Sequence, residues 1–431
     1  MRTAAAGPCK NHPRRDGVTT CVVCDSPICA ECLVQTPVGM KCRECTGTGR
    51  AATASSRGAR RRDAPARRPR WTAIVAVAGL AVVVVASIVL TRDRGSTPAS
   101  VSGGGDQLDR AVQFRGGGDL RISATLSLPA AARKARVPAV LIVPGAGPTD
   151  RNGVNVSGGI PDNLYEDIAQ RLVEQGVATL RYDKRGSGLS PIPQDQVLTF
   201  DDLVADARAG IGFLRDRREV DAARLAVVGH DIGGLVAMRA AGADRSIRGL
   251  VLISTPGRPL VDVLADDLRN TTSDPAHAAT LITELRSLAG TLVAGGEVPD
   301  VNALDPVLRS AFQPGAAPYT RALFAISPPD EARQVGAPVL IVRGGRSTGI
   351  SAEDAVRLAA AFGSRAEVLV SDRGGQTLRV PVEAPQATPS LSAADEHELT
   401  EHQGAVAGER RDLDTLQQIV RWITARVSGR V

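Results

Sequence analysis

The residues best suited to bind a metal lie together at the start of the chain. All seven cysteines occur within the first 45 residues, and with one histidine they make four pairs, each separated by two residues. This spacing lets both members of a pair bind one tetrahedral Zn²⁺ from a tight turn. Two closed four-coordinate sites would be structural, and the metal would supply the folding energy of a segment too short for its own core. The pairs are Cys9 and His12, Cys21 and Cys24, Cys29 and Cys32, and Cys42 and Cys45.

The short intervals between the pairs favour two interleaved sites, one zinc taking the first and third pairs and the other taking the second and fourth. A sequential arrangement, in which neighbouring pairs share a zinc, stays open. A disulfide cluster is disfavoured because four pairs at this spacing are hard to produce otherwise. The run from Cys21 to Cys45 resembles B-box-type zinc fingers and the small zinc domain that precedes the membrane part of some bacterial rhomboid proteases. The resemblance implies that residues 1–46 form a module that binds a cytosolic protein partner.

A second group of residues has the pattern of a catalytic turn. The sequence GHDIGG at 229–234 follows an apolar strand and opens a helix, with glycines that permit a tight turn. The runs PGAGPTDRNG (144–153) and YDKRGSGLS (182–190) follow two earlier strands. Together these runs resemble prokaryotic α/β-hydrolases, namely esterases and relatives of S33-type peptidases, over residues 110–430.

This resemblance implies a serine, an acid and a histidine at three positions, and the chain has a different residue at each. Asp231 stands at the nucleophile position, Ser347 at the acid position and Gln376 at the base position. An amide does not titrate near neutral pH, so Gln376 cannot act as a base. The sequence therefore favours a catalytically degenerate hydrolase fold that binds a small molecule or a protein. A nest for a substrate oxyanion is implied at Gly145, Ala146 and Ile232.

The alternative is an active enzyme in which Asp231 is the nucleophile. Haloalkane dehalogenases and epoxide hydrolases use an aspartate at this turn, and a histidine-activated water then hydrolyses the ester intermediate. Such an enzyme would act on an ester, an epoxide or a haloalkane and would need a displaced histidine. The candidates are His230, His277, His397 and His402. His230 is expected to be a packing residue, and the run Asp183–Arg185 a structural ion-pair cluster involving Asp150 and Arg151.

The segment between these two groups has the composition of a membrane anchor. Residues 47–70 form an arginine-rich linker with almost no large apolar residue, which predicts disorder. Residues 71–91 begin with Trp71 and contain about twenty uncharged residues, enough to span a bilayer core as a helix. Basic residues are concentrated before this span, which predicts a cytoplasmic N-terminus and an extracytoplasmic C-terminal domain. Much of the net charge of +6 comes from the linker, so it does not indicate a nucleic-acid partner.

The remaining sequence predicts one large α/β domain. After a flexible spacer at 92–109, residues 110–431 alternate between apolar strand patterns and amphipathic helix patterns, which is typical of a mainly parallel sheet covered on both faces. The stretch 259–325 lacks strand patterns and is expected to be a helical cap. Strands are predicted at 119–128, 139–145, 177–183, 224–230, 249–255, 338–345 and 366–372. Helices are predicted at 165–175, 200–216, 352–361 and 413–427.

Overall fold

The computed structural model describes two compact units, Met1–Trp71 and Thr72–Val431. Within the first unit it describes only the backbone of six short segments. Within the second unit it describes most of the chain from Leu108 onward. The described residues are 8–9, 12–16, 19–20, 27–28, 33–36, 39–42, 108–154, 162–190, 192–193, 196–242, 244–309, 311–347, 349–381 and 409–428.

The first unit is built from short antiparallel pairs of strands. The first pair is so tight that Cys9 lies directly opposite His12. The third pair places Cys42 opposite Leu33, the residue that follows Cys32. The six strands are Pro8–Cys9, His12–Asp16, Thr19–Thr20, Pro27–Ile28, Leu33–Thr36 and Gly39–Cys42.

The second unit contains an eight-stranded sheet, a small two-stranded sheet and ten α-helices among its described residues. The strands of the large sheet are β1 (Leu108–Arg115), β2 (Arg121–Leu128), β3 (Val137–Val143), β4 (Ala178–Tyr182), β5 (Val220–His230), β6 (Ile247–Ile253), β7 (Val339–Gly344) and β8 (Ala366–Ser371). The small sheet pairs β9 (Arg379–Pro381) with β10 (Glu409–Arg411).

The helices alternate with these strands. They are α1 (Leu164–Glu174), α2 (Phe200–Arg215), α3 (Ile232–Gly242), α4 (Leu260–Thr271), α5 (Pro275–Val293), α6 (Pro306–Arg309), α7 (Ala317–Ala325), α8 (Pro328–Gln334), α9 (Ala352–Phe362) and α10 (Leu413–Val427). Short 3-10 turns lie at Gly117–Asp119, Ala130–Arg133, Val301–Ala303, Pro314–Ala316 and Gly363–Arg365.

The large sheet has the strand order β8-β7-β6-β5-β3-β4-β2-β1. Strands β3 to β8 pair in parallel, whereas β2 is antiparallel to both β1 and β4. The carboxyl ends of the six parallel strands therefore meet at one edge, where loops can bring distant residues together.

The side chains of alternating residues of the central strands pack into two hydrophobic cores, one on each face of the sheet. Leu141 of β3 packs in the core that contains α2, α3, α9 and the helices at 260–325. Its neighbour Ile142 packs in the other core, against α1 and α10. Every residue of β3 is buried, as expected for a strand covered on both faces.

The predicted α/β architecture is confirmed, with three strands added: β1 at the edge of the large sheet, and β9 and β10 in the small sheet. All seven predicted strands form, and the stretch 259–325 is helical as expected. Strand β1 begins at Leu108 and was missed because it is an edge strand in which Phe114 is the one buried side chain. Its start also moves the beginning of the domain from the predicted residue 110 to Leu108, and the rest of the predicted spacer lies outside the described residues.

No helix among the described residues is long and apolar enough to cross a membrane. The predicted linker at 47–70 and the predicted span at 71–91 lie outside the described residues.

Candidate functional site

The candidate site is built on the sharp turn between β5 and α3. Asp231 occupies this turn with a φ of 53°, a left-handed conformation that is uncommon for a residue other than glycine. The turn also needs close backbone approach, because a Cβ on Gly233 would lie 2.4 Å from the Pro144 carbonyl oxygen. The GHDIGG sequence thus forms the strained strand-to-helix turn expected of a nucleophile elbow.

The Asp231 carboxylate accepts hydrogen bonds from amides that were predicted from the sequence to form an oxyanion nest. The Ala146 amide donates to Asp231 Oδ2 at 3.2 Å, and the Ile232 amide is a second backbone donor to the carboxylate. Asp231 Oδ1 is buried and has no hydrogen-bond partner in the part of the chain that the structure describes. Only 4% of the Asp231 surface is exposed, so the carboxylate is largely removed from water.

Burial dominates the electrostatics of this carboxylate. Desolvation raises the pKa of Asp231 above its ordinary value, against the opposing effects of His230, the two amides and Lys184. Desolvation also lowers the pKa of Lys184 to about 8, although the negative charge of Asp231 acts in the other direction. The turn therefore holds a buried acid and a buried base, and each is displaced toward its neutral form.

The loop after β3 is fixed from both sides at Gly145. Its amide donates to the Tyr165 hydroxyl at 2.8 Å, and its carbonyl accepts from Lys184 Nζ at 2.8 Å. The Tyr165 hydroxyl also lies 3.0 Å from His230 Nδ1. Gly145 was predicted to contribute to the oxyanion nest, but its amide points at Tyr165. The donors that face Asp231 are Ala146 and Ile232.

The other two triad positions lie at the same edge of the sheet. Ser347 follows β7, and its Oγ accepts a hydrogen bond from the Ile350 amide at 3.3 Å. Gln376 follows β8, and its backbone carbonyl accepts from Ser254 Oγ at 2.7 Å. The two turns touch, because the Arg346 amide donates to the Gly374 carbonyl at 2.9 Å. The fold thus gathers the three predicted positions, and at two of them the contacts are those of a structural turn.

The described histidines have structural partners. His230 is buried, and desolvation lowers its pKa while Asp231 opposes that shift. It is therefore a packing residue held by Tyr165, as expected. His277 lies 3.6 Å from Asp305 within the helices at 260–325. His397 and His402 lie outside the described residues, so their role as displaced bases stays a prediction.

The YDKRGSGLS run forms the expected ion-pair cluster. Asp183 accepts the Arg151 amide and side chain at 2.9 Å, and also the Leu189 amide at 2.8 Å. Arg185 forms a bidentate pair with the buried Asp206 at 2.7 Å. Asp150 does not join these pairs, because it accepts three backbone amides of its own loop.

The helices at 260–325 approach the elbow through α7. Tyr319 on this helix is buried, and the nearby Asp231 charge adds to desolvation in raising its pKa. The start of α4 is anchored to α9 by Arg258, which pairs with the fully buried Asp354 at 2.9 Å. The start of the helical stretch is therefore fixed to α9 by an ion pair, and α7 brings Tyr319 within electrostatic range of Asp231.

The predicted zinc sites are only partly covered by the structure. Cys9, His12 and Cys42 lie in described strands, of which only the backbone is described, and the other five ligands lie outside the described residues. Within the described ranges, no group of three or more metal-ligating side chains occurs.

Two residues of the site were not predicted from the sequence. Tyr165 and Lys184 together fix both backbone groups of Gly145. Lys184 lies two residues after the buried strand β4, and this closeness to a buried strand was the one signal in the sequence that it could enter the interior. Tyr165 opens α1 and gave no comparable signal.

Comparison with known proteins agrees with this geometry. Residues 161–309 match the family model described as serine aminopeptidase, S33. The chain is 28% identical to esterase EstD of Thermotoga maritima over 223 residues, which are 50% of this chain and 48% of the relative. It thus spans about half the length of the curated relative that it matches.

Two solved structures with low sequence identity are also similar. Est1E from Butyrivibrio proteoclasticus has 19% identity and a TM-score of 0.43, covering 62% of this chain and 90% of its own. A hypothetical protein from Pseudomonas aeruginosa has 16% identity and a TM-score of 0.46, covering 74% and 94%.

The strand order and the elbow show that the second unit has the fold of an α/β-hydrolase. Residues 161–309 within it are similar to the S33 serine aminopeptidase family, and half of the chain is similar to an esterase.

Proposed function

We propose that this protein is a membrane-anchored pseudohydrolase, whose α/β-hydrolase domain binds a ligand or partner outside the cytoplasm. The observation that carries the proposal is the contact between the Asp231 carboxylate and the Ala146 amide at 3.2 Å. In a working hydrolase this amide stabilises the charge that develops on the substrate oxygen. Here the Asp231 carboxyl group of the protein itself accepts that hydrogen bond.

The electrostatics of the elbow add to this argument. A nucleophilic aspartate must be ionised, whereas burial raises the pKa of Asp231. The residues at the acid and base positions, Ser347 and Gln376, supply neither a carboxylate nor an imidazole. A covalent ester formed on Asp231 would therefore persist unless another base activated water.

One observation favours a second candidate function, an enzyme with Asp231 as nucleophile. Asp231 Oδ1 has no hydrogen-bond partner among the described residues, so no donor lowers the nucleophilicity of this oxygen. The enzyme would hydrolyse an ester, an epoxide or a haloalkane in two steps. The second step needs a base, for which His397 and His402 are the candidates.

Turnover by the full chain separates the two functions. We would compare the wild type with Asp231→Asn, using esters, epoxides and haloalkanes as substrates. Asp267→Asn is the matched control, because Asp267 is a buried aspartate of α4 that the elbow does not use. The pseudohydrolase predicts no turnover in any of the three proteins. Turnover that survives in the control and vanishes in Asp231→Asn would establish the enzyme.

Intact-mass measurement tests the covalent step directly. With a haloalkane, the Asp231 enzyme would gain the mass of the alkyl group and release halide, and replacement of the helper histidine would make that adduct accumulate. The pseudohydrolase predicts an unchanged mass and no released halide.

The proposal also includes a cytoplasmic zinc module and a single membrane span. Strand Pro8–Cys9 lies beside strand Pro27–Ile28, which leads into Cys29, and Thr19–Thr20 lies beside Gly39–Cys42. These contacts support interleaved zinc sites, in which the first pair of ligands joins the third and the second pair joins the fourth. The structural metals would hold a surface for a cytosolic protein partner.

Two measurements test these parts separately. The full chain should contain two zinc ions per molecule by elemental analysis, and Cys29→Ser should lose one site without affecting the hydrolase domain. Sequential sites predict that Cys9→Ser and Cys29→Ser impair different zinc ions, whereas interleaved sites predict that they impair the same one. Resistance to alkaline extraction tests the span, and release of the chain would reject it.

A further inference from the structure

A basic cavity lies at the end of the sheet opposite the elbow. It has a volume of about 560 Å³ and is formed by the start of β1, the end of β2, the Ala130–Arg133 turn and the residues before β5. It therefore lies at the amino ends of β3 and β5, whereas Asp231 lies at the carboxyl end of β5. The charged residues that line it are Arg110, Arg133, Lys134, Arg136, Arg218 and Glu219.

The charge of this cavity is strongly positive. Five of its lining residues are cations, and the one carboxylate, Glu219, is engaged by Arg110 at 2.8 Å and by Arg218 at 3.6 Å. Lys134, Arg136 and Arg218 are exposed. Clustered cations around a concave surface raise the local concentration of anions.

The position of the cavity in the chain favours one source of anions. Leu108, the first described residue of the domain, lines the cavity and is itself 37% exposed. The predicted span ends at residue 91, which leaves sixteen residues before the domain begins at Leu108, and a spacer as flexible as its sequence predicts would have a root-mean-square length of roughly 22 Å. Because Leu108 lines the cavity, a chain that arrives from the predicted span would enter the domain beside the basic side chains.

We propose that this cavity docks on the phosphate-bearing headgroups of anionic phospholipids in the membrane that holds the anchor. The inference rests on the proposed span at residues 71–91. Each basic side chain near an anionic surface strengthens binding about fivefold, so three exposed cations contribute about 100-fold. The short tether makes docking intramolecular and gives the headgroups a high effective concentration. Docked in this way, the domain presents the elbow edge away from the bilayer.

Hydrogen exchange of the full chain in nanodiscs tests this docking. Nanodiscs of phosphatidylcholine alone are compared with nanodiscs that also contain phosphatidylglycerol, at low and high salt. We expect the amides of residues 128–137 and 215–220 to exchange more slowly with phosphatidylglycerol, and high salt to remove the protection. Equal exchange in both kinds of nanodisc would overturn the proposal.

Two triple variants with the same change of net charge distinguish docking through this cavity from a general attraction of the positively charged domain to anionic lipids. Lys134→Gln, Arg136→Gln and Arg218→Gln together should abolish the protection. Arg357→Gln, Arg410→Gln and Arg421→Gln together should retain it, because none of these residues lines the cavity. Equal loss in both variants would overturn the proposal.

A soluble anion and a failed anchor each give a distinct result. Protection by inorganic phosphate in phosphatidylcholine nanodiscs, without an effect of phosphatidylglycerol, would assign the cavity to a soluble anion and overturn membrane docking. Failure of the chain to enter either kind of nanodisc would instead reject the span itself. Alkaline extraction therefore distinguishes a failed anchor from a failed docking surface.

Discussion

Replacing Lys184 with methionine tests whether this lysine is a strained charge beneath the elbow. The side chain is buried, with 6% of the residue exposed, and its ammonium group donates to the Gly145 carbonyl at 2.8 Å. Burial lowers its pKa from 10.5 to about 8. Methionine has a similar length and no charge, so Lys184→Met removes both the penalty of burying a charge and the hydrogen bond.

The sign of the pH dependence follows from the direction of the shift. Between pH 8 and 10.5 the unfolded chain binds a proton that the folded lysine has released, so wild-type stability rises with pH in this window. Below pH 8 the full penalty is present, at about 3 kcal/mol for a shift of this size. From pH 7 to pH 10 the wild type should therefore gain roughly 2.5 kcal/mol relative to Lys184→Met.

Urea unfolding of the full chain in detergent measures this difference. The fluorescence of Trp422 on α10 reports unfolding of the domain. At pH 7, Lys184→Met gains the cost of burying the lysine charge and loses the hydrogen bond to Gly145, and these two effects nearly cancel. We therefore expect the free energies of unfolding of the two proteins to differ by less than about 2 kcal/mol. Groups that titrate in both proteins cancel in the comparison. A difference that stays flat or decreases from pH 7 to pH 10 would refute the argument that Lys184 is a buried cation.

Three further substitutions test other parts of the domain. Asp231→Gly is compatible with the positive φ of the elbow and leaves the Ala146 amide without its carboxylate acceptor. We therefore expect acetate to bind in place of the carboxylate and to raise the melting temperature of this variant more than that of the wild type. An equal effect of acetate on both proteins would contradict the idea that the Asp231 carboxylate occupies the nest. Asp267→Asn removes a carboxyl whose pKa is raised to about 6 by burial alone. It should stabilise the domain by up to about 3 kcal/mol at pH 7, and the gain should disappear as the pH falls from 6 to 3.8; a gain independent of pH would exclude this cause. Arg258→Met leaves the fully buried Asp354 without its ion pair and should cost about 3–5 kcal/mol in chemical unfolding. The exposed control Arg357→Met should cost less than about 1 kcal/mol, and similar losses in both would argue against a buried pair.

Much of the fold could be predicted from local patterns. Strand β3 is an unbroken apolar run and is buried on both faces, so its assignment did not depend on its neighbours. Strand β1 could not be recognised in this way, because it is an edge strand with one buried side chain, Phe114. Its pairing with β2 is a tertiary contact that leaves little trace in hydrophobic periodicity.

The contacts of Lys184 and Asp150 could not be predicted from the sequence near them. Both residues lie in runs that were expected to form structural ion pairs. Lys184 instead reaches the Gly145 carbonyl, and Asp150 binds the amides of its own loop. Partner choice among several nearby charged residues depends on side-chain direction, and sequence spacing does not specify that direction.

The sequence by itself determined which chemistry is missing from the elbow. The identities of Asp231, Ser347 and Gln376 exclude a serine triad at these positions, because the functional groups of a side chain do not depend on its environment. Only the tertiary structure decided what Asp231 does instead. Its burial and its hydrogen bond from Ala146 arise when β3 and β5 become neighbours in the sheet, which brings together residues 85 positions apart. Burial then raises the pKa of the Asp231 carboxyl, since a charge without water is stabilised only by the few groups that the fold places around it.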